Sequence, residues 1–206
     1  MTHRNKVALG FLVALGLPSL ASANLLTNAG FEDGPPGFGA QDWIAFGNVF
    51  TEANTPLSGA QHAKLFGNFN PGFDVTGIFQ EFPATPGSLW ELDVWSRHND
   101  GDQLTGVAGT GNWAVQKIVF KDAGDAEIGA VESIVLDGTF PIDVWIDNAP
   151  IQGVAPAGTT QVEAFVLFLQ PAQDGGAALI DDAAFVPEPA AFALVALGGI
   201  LALRRR

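Results

Sequence analysis

The chain has 206 residues, no cysteine and no tyrosine, with 22 acids against nine lysines and arginines. The missing cysteine excludes thiol catalysis, zinc–thiolate sites and disulfides, so a stable fold must come from its core, from bound metal, or from both. Between Asn24 and Val186 only Lys64, Arg97, Lys117 and Lys121 oppose twenty-one acids, a balance of −17. That excludes nucleic acid as a partner, because phosphate binding needs a basic footprint.

The amino terminus reads as an export signal. Arg4 and Lys6 form a basic start, Val7 to Leu17 an apolar run, and Ala21-Ser22-Ala23 a small-residue cleavage site. The expected organisation is a Sec signal peptide over 1–23, one domain over 24–186, and a sorting segment over 187–206. A stretch of 163 residues suits one domain with a sizeable core.

Within that domain short apolar or alternating runs are separated by Gly, Pro, Asn and Asp clusters, the pattern of an all-β chain. A first strand is expected at Asn24–Leu26, followed by strands at Trp43–Phe50, Ala60–Phe66 and Thr76–Phe82. Leu89 to His98 alternates most cleanly. Trp90, Leu92, Val94 and Ser96 fall on a core face, and Glu91, Asp93, Trp95 and Arg97 on a polar one. A long Gly/Thr-rich connection follows, from Asn99 to about Asn112.

Ala114–Phe120 and Ala126–Ser133 predict a hairpin around the 121–125 turn. Further strands are expected at Asp143–Ile151, Gln161–Gln170 and Ala177–Phe185, about ten in all. The nearly continuous apolar run from Glu163 to Leu169 predicts a strand covered on both faces. No helix is expected inside the domain, and long cross-connections between ten strands fit a two-sheet jelly-roll sandwich.

Two resemblances sharpen this reading. Val186-Pro187-Glu188-Pro189, fourteen apolar residues from Ala190 to Leu203, and the cluster Arg204, Arg205, Arg206 closely resemble the sorting tail of PEP-CTERM proteins. Fourteen residues give about 21 Å of helix, a short membrane span that arginines can extend by snorkelling. The resemblance implies a Gram-negative bacterium, a transient inner-membrane intermediate, processing by an exosortase-like membrane protease, and a place at the cell surface or in an exopolysaccharide or biofilm matrix. The opening Asn24–Glu32, Gly77-Ile78-Phe79-Gln80, Pro86–Leu92 and Leu179–Asp182 look like the galactose-binding-like jelly rolls, which include carbohydrate-binding modules.

That second resemblance implies that the first and last strands are neighbours, and that Glu32, Asp181 and Asp182 could hold a structural Ca2+ through hard oxygen ligands. Asn99–Asp102 and Asp122–Glu127 read as solvated acidic turns. A sugar needs an aromatic platform flanked by polar side chains; Trp95 with Asp93 and Arg97 meets that requirement on one strand face. Trp113 and Trp145 are further candidates, and Trp43 and Trp90 read as core. The exported part has two histidines, His62 and His98, and no G-x-S-x-G motif, so the chain does not read as an enzyme. The expected function is carbohydrate binding within a polysaccharide matrix. The alternatives are a non-binding matrix protein with a calcium-stabilised fold, and a polysaccharide hydrolase.

Overall fold

The computed structural model describes residues 23–171 and 173–188. The signal peptide, apart from Ala23, and the membrane segment with its arginine cluster lie outside the described residues. Among the described residues there is no helix, so none is long and apolar enough to cross a membrane.

Among the described residues eleven strands form two antiparallel sheets. They are β1 (Ile44–Phe46), β2 (Asn48–Glu52), β3 (His62–Phe66), β4 (Asp74–Pro83), β5 (Leu89–Arg97), β6 (Trp113–Lys121), β7 (Glu127–Leu136), β8 (Ile146–Asp147), β9 (Ile151–Val154), β10 (Gln161–Gln170) and β11 (Ala177–Pro187). One sheet has the order β1-β4-β10-β6-β7. The other runs β2-β3-β11-β5, with β8 and β9 both pairing the far edge of β5. The last strand thus lies between β3 and β5, far from it in sequence. This is the two-sheet jelly-roll sandwich.

Alternation decides what is buried. Trp90, Leu92, Val94 and Ser96 of β5 are 0–4% exposed, as the sequence pattern predicted. They meet Ile118 and Phe120 of β6, Val162, Val166 and Phe168 of β10 and Ile180 and Phe185 of β11 in one core. Each large apolar side chain removed from water contributes roughly 1.5–3 kcal/mol, and no covalent staple supplements that sum. Trp43 and Trp90 belong to this core; Trp43 stacks on Phe31 at 5.3 Å and Trp90 on Phe185 at 5.0 Å. Their indole N–H groups donate to Asn28 O and Ser88 Oγ, so neither is buried unpaired.

The expected strand at 24–26 forms no ladder, yet it runs beside the last strand. Leu25 N–H donates to Phe185 O at 2.9 Å, and the Asn24 side chain bridges Ala183 O and Phe185 N. The long connection after β5 is pinned by buried His98: Nδ1 accepts Leu104 N–H at 3.1 Å, so Nε2 carries the proton that faces Phe140 O. The acidic turns cap themselves, Asp122 accepting Gly124 and Ala126 N–H.

One expected strand divides. Trp43–Phe50 breaks at Gly47, whose φ of +73° sends β1 into the five-stranded sheet and β2 into the other. A Cβ at Gly47 would collide with the Thr76 side chain on β4. Asp143–Ile151 likewise separates into β8 and β9. Gly47→Ala is expected to destabilise the fold by roughly 1–3 kcal/mol, read as a lower urea midpoint at unchanged m-value. An unaltered midpoint would show that the crossover does not depend on glycine.

Candidate binding groove

Strand β10 sends Val162, Ala164, Val166 and Phe168 inward; Phe165, Leu167 and Leu169 point out from the five-stranded sheet and stay only half-buried. The two-sided cover expected for Glu163–Leu169 is therefore corrected: one face packs and the other lines an open groove. Cross-strand register places Phe79 of β4 and Lys117 of β6 beside Phe165, and Gly77 and Val115 beside Leu167. Phe79 and Phe165 stack at 4.6 Å with their planes 21° apart, and Phe46 tilts against Phe79 at 6.5 Å. Gly77 permits this closeness, since a Cβ there would lie 2.6 Å from both Leu167 and the Phe46 ring.

The groove closes at one end in charge. Its cavity of about 270 Å³ runs from Phe46, Phe165 and Leu167 to Lys117, Lys121 and Glu163. Glu163 is 1% exposed; its Oε1 receives Lys121 Nζ at 2.6 Å, while Oε2 is buried with no hydrogen-bond partner among the described residues. Burial pushes the Glu163 carboxyl above the usual carboxylate range, Lys121 pulls it back, and the neighbouring Glu81 adds to the rise. Hydrogen bonds to Glu163 and Asp125 hold the Lys121 ammonium well above its ordinary value. Lys117 is loosely held, 3.8 Å from Glu132 and 4.0 Å from Glu127, both exposed.

An apolar aromatic floor thus meets two lysine ammonium groups and a buried carboxylate at one end. That combination suits a ligand with an apolar face and a hydroxylated rim. Trp113 extends the same face: it tilts against exposed Phe73 at 6.0 Å and lines a further cavity of about 440 Å³ with Ala108, Gly109 and Ile134.

The Trp95 group lies on the opposite outer face of the sandwich. Asp93, Trp95 and Arg97 share the outward side of β5, each half-buried. Arg97 is held by Asn99 at 2.6 Å and Asp143 at 3.1 Å. Burial, then Asp147 and Glu91, raises the Asp93 carboxyl, and its Oδ1 is buried without a partner among the described residues. Trp145 donates from Nε1 to Thr55 O and sets its ring edge-on to His62 at 5.7 Å. His62 is wholly buried with neither ring nitrogen hydrogen-bonded among the described residues, and burial with Lys64 and Arg97 lowers its pKa to about 4.

Glu32, Asp181 and Asp182 come together as expected from opposite ends of the domain, around the 57–61 loop. Asp181 Oδ2 accepts Leu57 N–H at 2.9 Å and Ser58 N–H at 3.3 Å, and its Oδ1 accepts Asp182 N–H. Glu32 accepts Ala60 and Gln61 N–H, and Ser58 Oγ donates to Asp182. Burial lifts Asp181 to about 6 despite the three amides. The donor chemistry suits calcium, but the carboxylates are turned to amide hydrogens. Among the described residues no group of three or more His, Asp or Glu side chains is arranged to hold a metal ion.

No family model matches the chain, and neither does any curated protein. Solved structures do match. TmCBM61 in complex with β-1,4-galactotriose is 18% identical at a TM-score of 0.50, covering 81% of this chain and all of its own. The enzymatically active domain of tailspike protein 4 from bacteriophage CBA120 is 14% identical at 0.54, and arabinose-bound MgGH51 α-L-arabinofuranosidase is 14% identical at 0.54. These cover 80% and 81% of this chain but only 21% and 26% of their own, so the chain spans about a quarter or less of either. The shared feature is the fold, a two-sheet β-sandwich jelly roll.

Two measurements test the residues around the 57–61 loop and His62. Glu32→Ala is expected to cost about 1–2 kcal/mol even in EDTA, because it strips acceptors from Ala60 and Gln61; a loss seen only with calcium present would assign Glu32 to metal instead. The His62 imidazole is expected to stay neutral until about pH 4 in an NMR titration, and a midpoint near 6.5 would place the ring in water.

Proposed function

We propose that the protein is an exported carbohydrate-binding β-sandwich that acts in a polysaccharide matrix and reaches it through its PEP-CTERM-like tail. Export, exosortase-like processing and a matrix location rest on the sequence at both ends. Carbohydrate binding rests on one observation above all: Phe165, stacked on Phe79, lines an open groove together with Phe46, Lys117, Lys121 and Glu163. Phenyl rings accept the C–H face of a pyranose, and the charged rim takes its hydroxyls.

Charge narrows the ligand. Lys117 and Lys121 share this face with Glu81, Glu127, Glu132 and Glu163, so an anionic glycan meets net repulsion and a neutral one does not. The galactotriose complex of a similar sandwich makes β-1,4-galactan the first probe. The match to TmCBM61 over its whole length favours a binding role over catalysis, although two other matched structures are enzymes of which this chain covers about a quarter or less.

A second reading, a matrix protein stabilised by calcium, draws on the convergence of Glu32, Asp181 and Asp182. It expects millimolar calcium to raise the melting midpoint by mass action and no glycan to do so.

Titration calorimetry against β-1,4-galactan decides between them, with xylan and alginate as neutral and anionic comparators. Phe165→Ala is expected to weaken galactan binding about tenfold or more, with alginate inert. If Trp95→Ala removes binding while Phe165→Ala leaves it whole, the sugar lies on the β5 face. Absence of glycan binding together with a calcium-raised midpoint favours the second reading.

A further inference from the structure

We infer that the outer face of the six-stranded sheet carries a second, smaller sugar pocket at Phe69, which makes the domain a two-sided bridge between glycan chains. This rests on the carbohydrate reading of the first groove and extends it to a partner geometry.

Phe50 of β2 and Phe66 of β3 project outward side by side, edge to face at 5.4 Å, and Phe69 tilts against Phe66 at 6.4 Å. Phe69 is 49% exposed, at a φ of +56°. A bulky residue in that region is a genuine backbone outlier, and burial does not compensate a ring left half in water. The surroundings enforce it nonetheless. Fully buried Gln170 accepts Phe69 N–H at 3.1 Å, Asp74 accepts Asn68 N–H at 2.7 Å, and Asn48 donates to Gly67 O and Asn68 Oδ1.

Polar groups stand beside the rings. Lys64 Nζ lies 2.7 Å from Asp102 and 3.2 Å from Glu52. Asp102 comes from the long connection after β5, held in place by Ala177 N–H donating to Asp102 O. Phe50, Phe66, Phe69, Lys64 and Asp102 enclose about 230 Å³, room for a ring rather than a chain. One ammonium between two carboxylates leaves a net negative rim rich in acceptors, which fits a neutral, hydroxyl-donating sugar and opposes an anion.

The two pockets belong to opposite outer faces of sheets packed about 10 Å apart. They point away from each other, so separate stretches of glycan fill them. A domain with one site per face cross-links a polymer, and its avidity exceeds either affinity without further contacts.

The purified protein, β-1,4-galactotriose and polymeric β-1,4-galactan provide the test. Calorimetry is expected to give two trioses per protein. Light scattering of the polymer should rise with added protein and fall again in excess, as chains become singly occupied. Phe69→Ala and, separately, Asp102→Asn should each leave one triose site and abolish the scattering, with the melting midpoint retained. A wild-type stoichiometry of one, lost in Phe165→Ala, overturns the second pocket and leaves the groove standing. Binding lost in Phe69→Ala but untouched in Phe165→Ala overturns the groove as the primary site and, with it, the bridge. Absence of triose binding overturns both.

Discussion

A buried carboxylate in a central strand, Asp181 of β11, ties the two ends of the domain to its middle. Charge in a core is costly unless hydrogen bonds satisfy it, and here three backbone amides do so, two of them from the 57–61 loop. The loop therefore crosses the sheet instead of leaving it. That crossing brings Ala60 to Glu32 and Thr55 to Trp145, and Trp145 in turn packs on His62. The burial that raises Asp181 and lowers His62 comes from this same cover. In a chain without disulfides, such acceptor-to-amide contacts replace a staple between segments more than a hundred residues apart.

Much of this was legible in the residues where one physical signal acts alone. The alternation of Leu89–His98 gave its two faces correctly because a half-buried strand has a period of two and nothing else disturbs it. The hairpin at 121–125 followed from its turn residues, whereas the nearness of the domain's first and last segments was implied by the galactose-binding-like resemblance. Trp43–Phe50 misled because apolar residues flank Gly47-Asn48 on both sides, and the decisive fact there is a backbone angle, which side-chain hydropathy does not encode. Phe165, Leu167 and Leu169 misled for a different reason. Apolar residues on both faces of a strand signal a covered sheet or an open binding surface alike, and only the neighbouring strands tell which.

The candidate groove was missed for a related cause. Tryptophan beside arginine drew attention to β5, whereas the open aromatic floor is built from phenylalanines on three strands, Phe46, Phe79 and Phe165, that no local window joins. The usable signal was compositional: Phe is far more frequent here than the core needs, and several of its rings remain in water at Phe38, Phe46, Phe69 and Phe73. The domain's four cations carry a similar message. Lys117 and Lys121 lie on one outer face, Lys64 and Arg97 on the other, each set among acids, so both faces bear polar groups next to exposed rings.

The position of β11 also constrains how the proposed tail could be processed. Its ladder to β5 continues through Val186 opposite Glu91 and Pro187 opposite Trp90, and Glu188 N–H still donates to Leu89 O at 2.9 Å. The Pro-Glu-Pro triplet therefore begins inside the sheet, with no linker ahead of it. A protease that takes its substrate as an extended strand must strip backbone hydrogen bonds from any residue already paired. Peeling β11 back past Glu188 would expose Phe185 and Ile180 from the core and free the amides that Asp181 holds. Cleavage on the C-terminal side of Glu188 would leave the pairing of Val186, Pro187 and Glu188 with β5 in the product, so the proposed processing is compatible with an intact sandwich only beyond that residue.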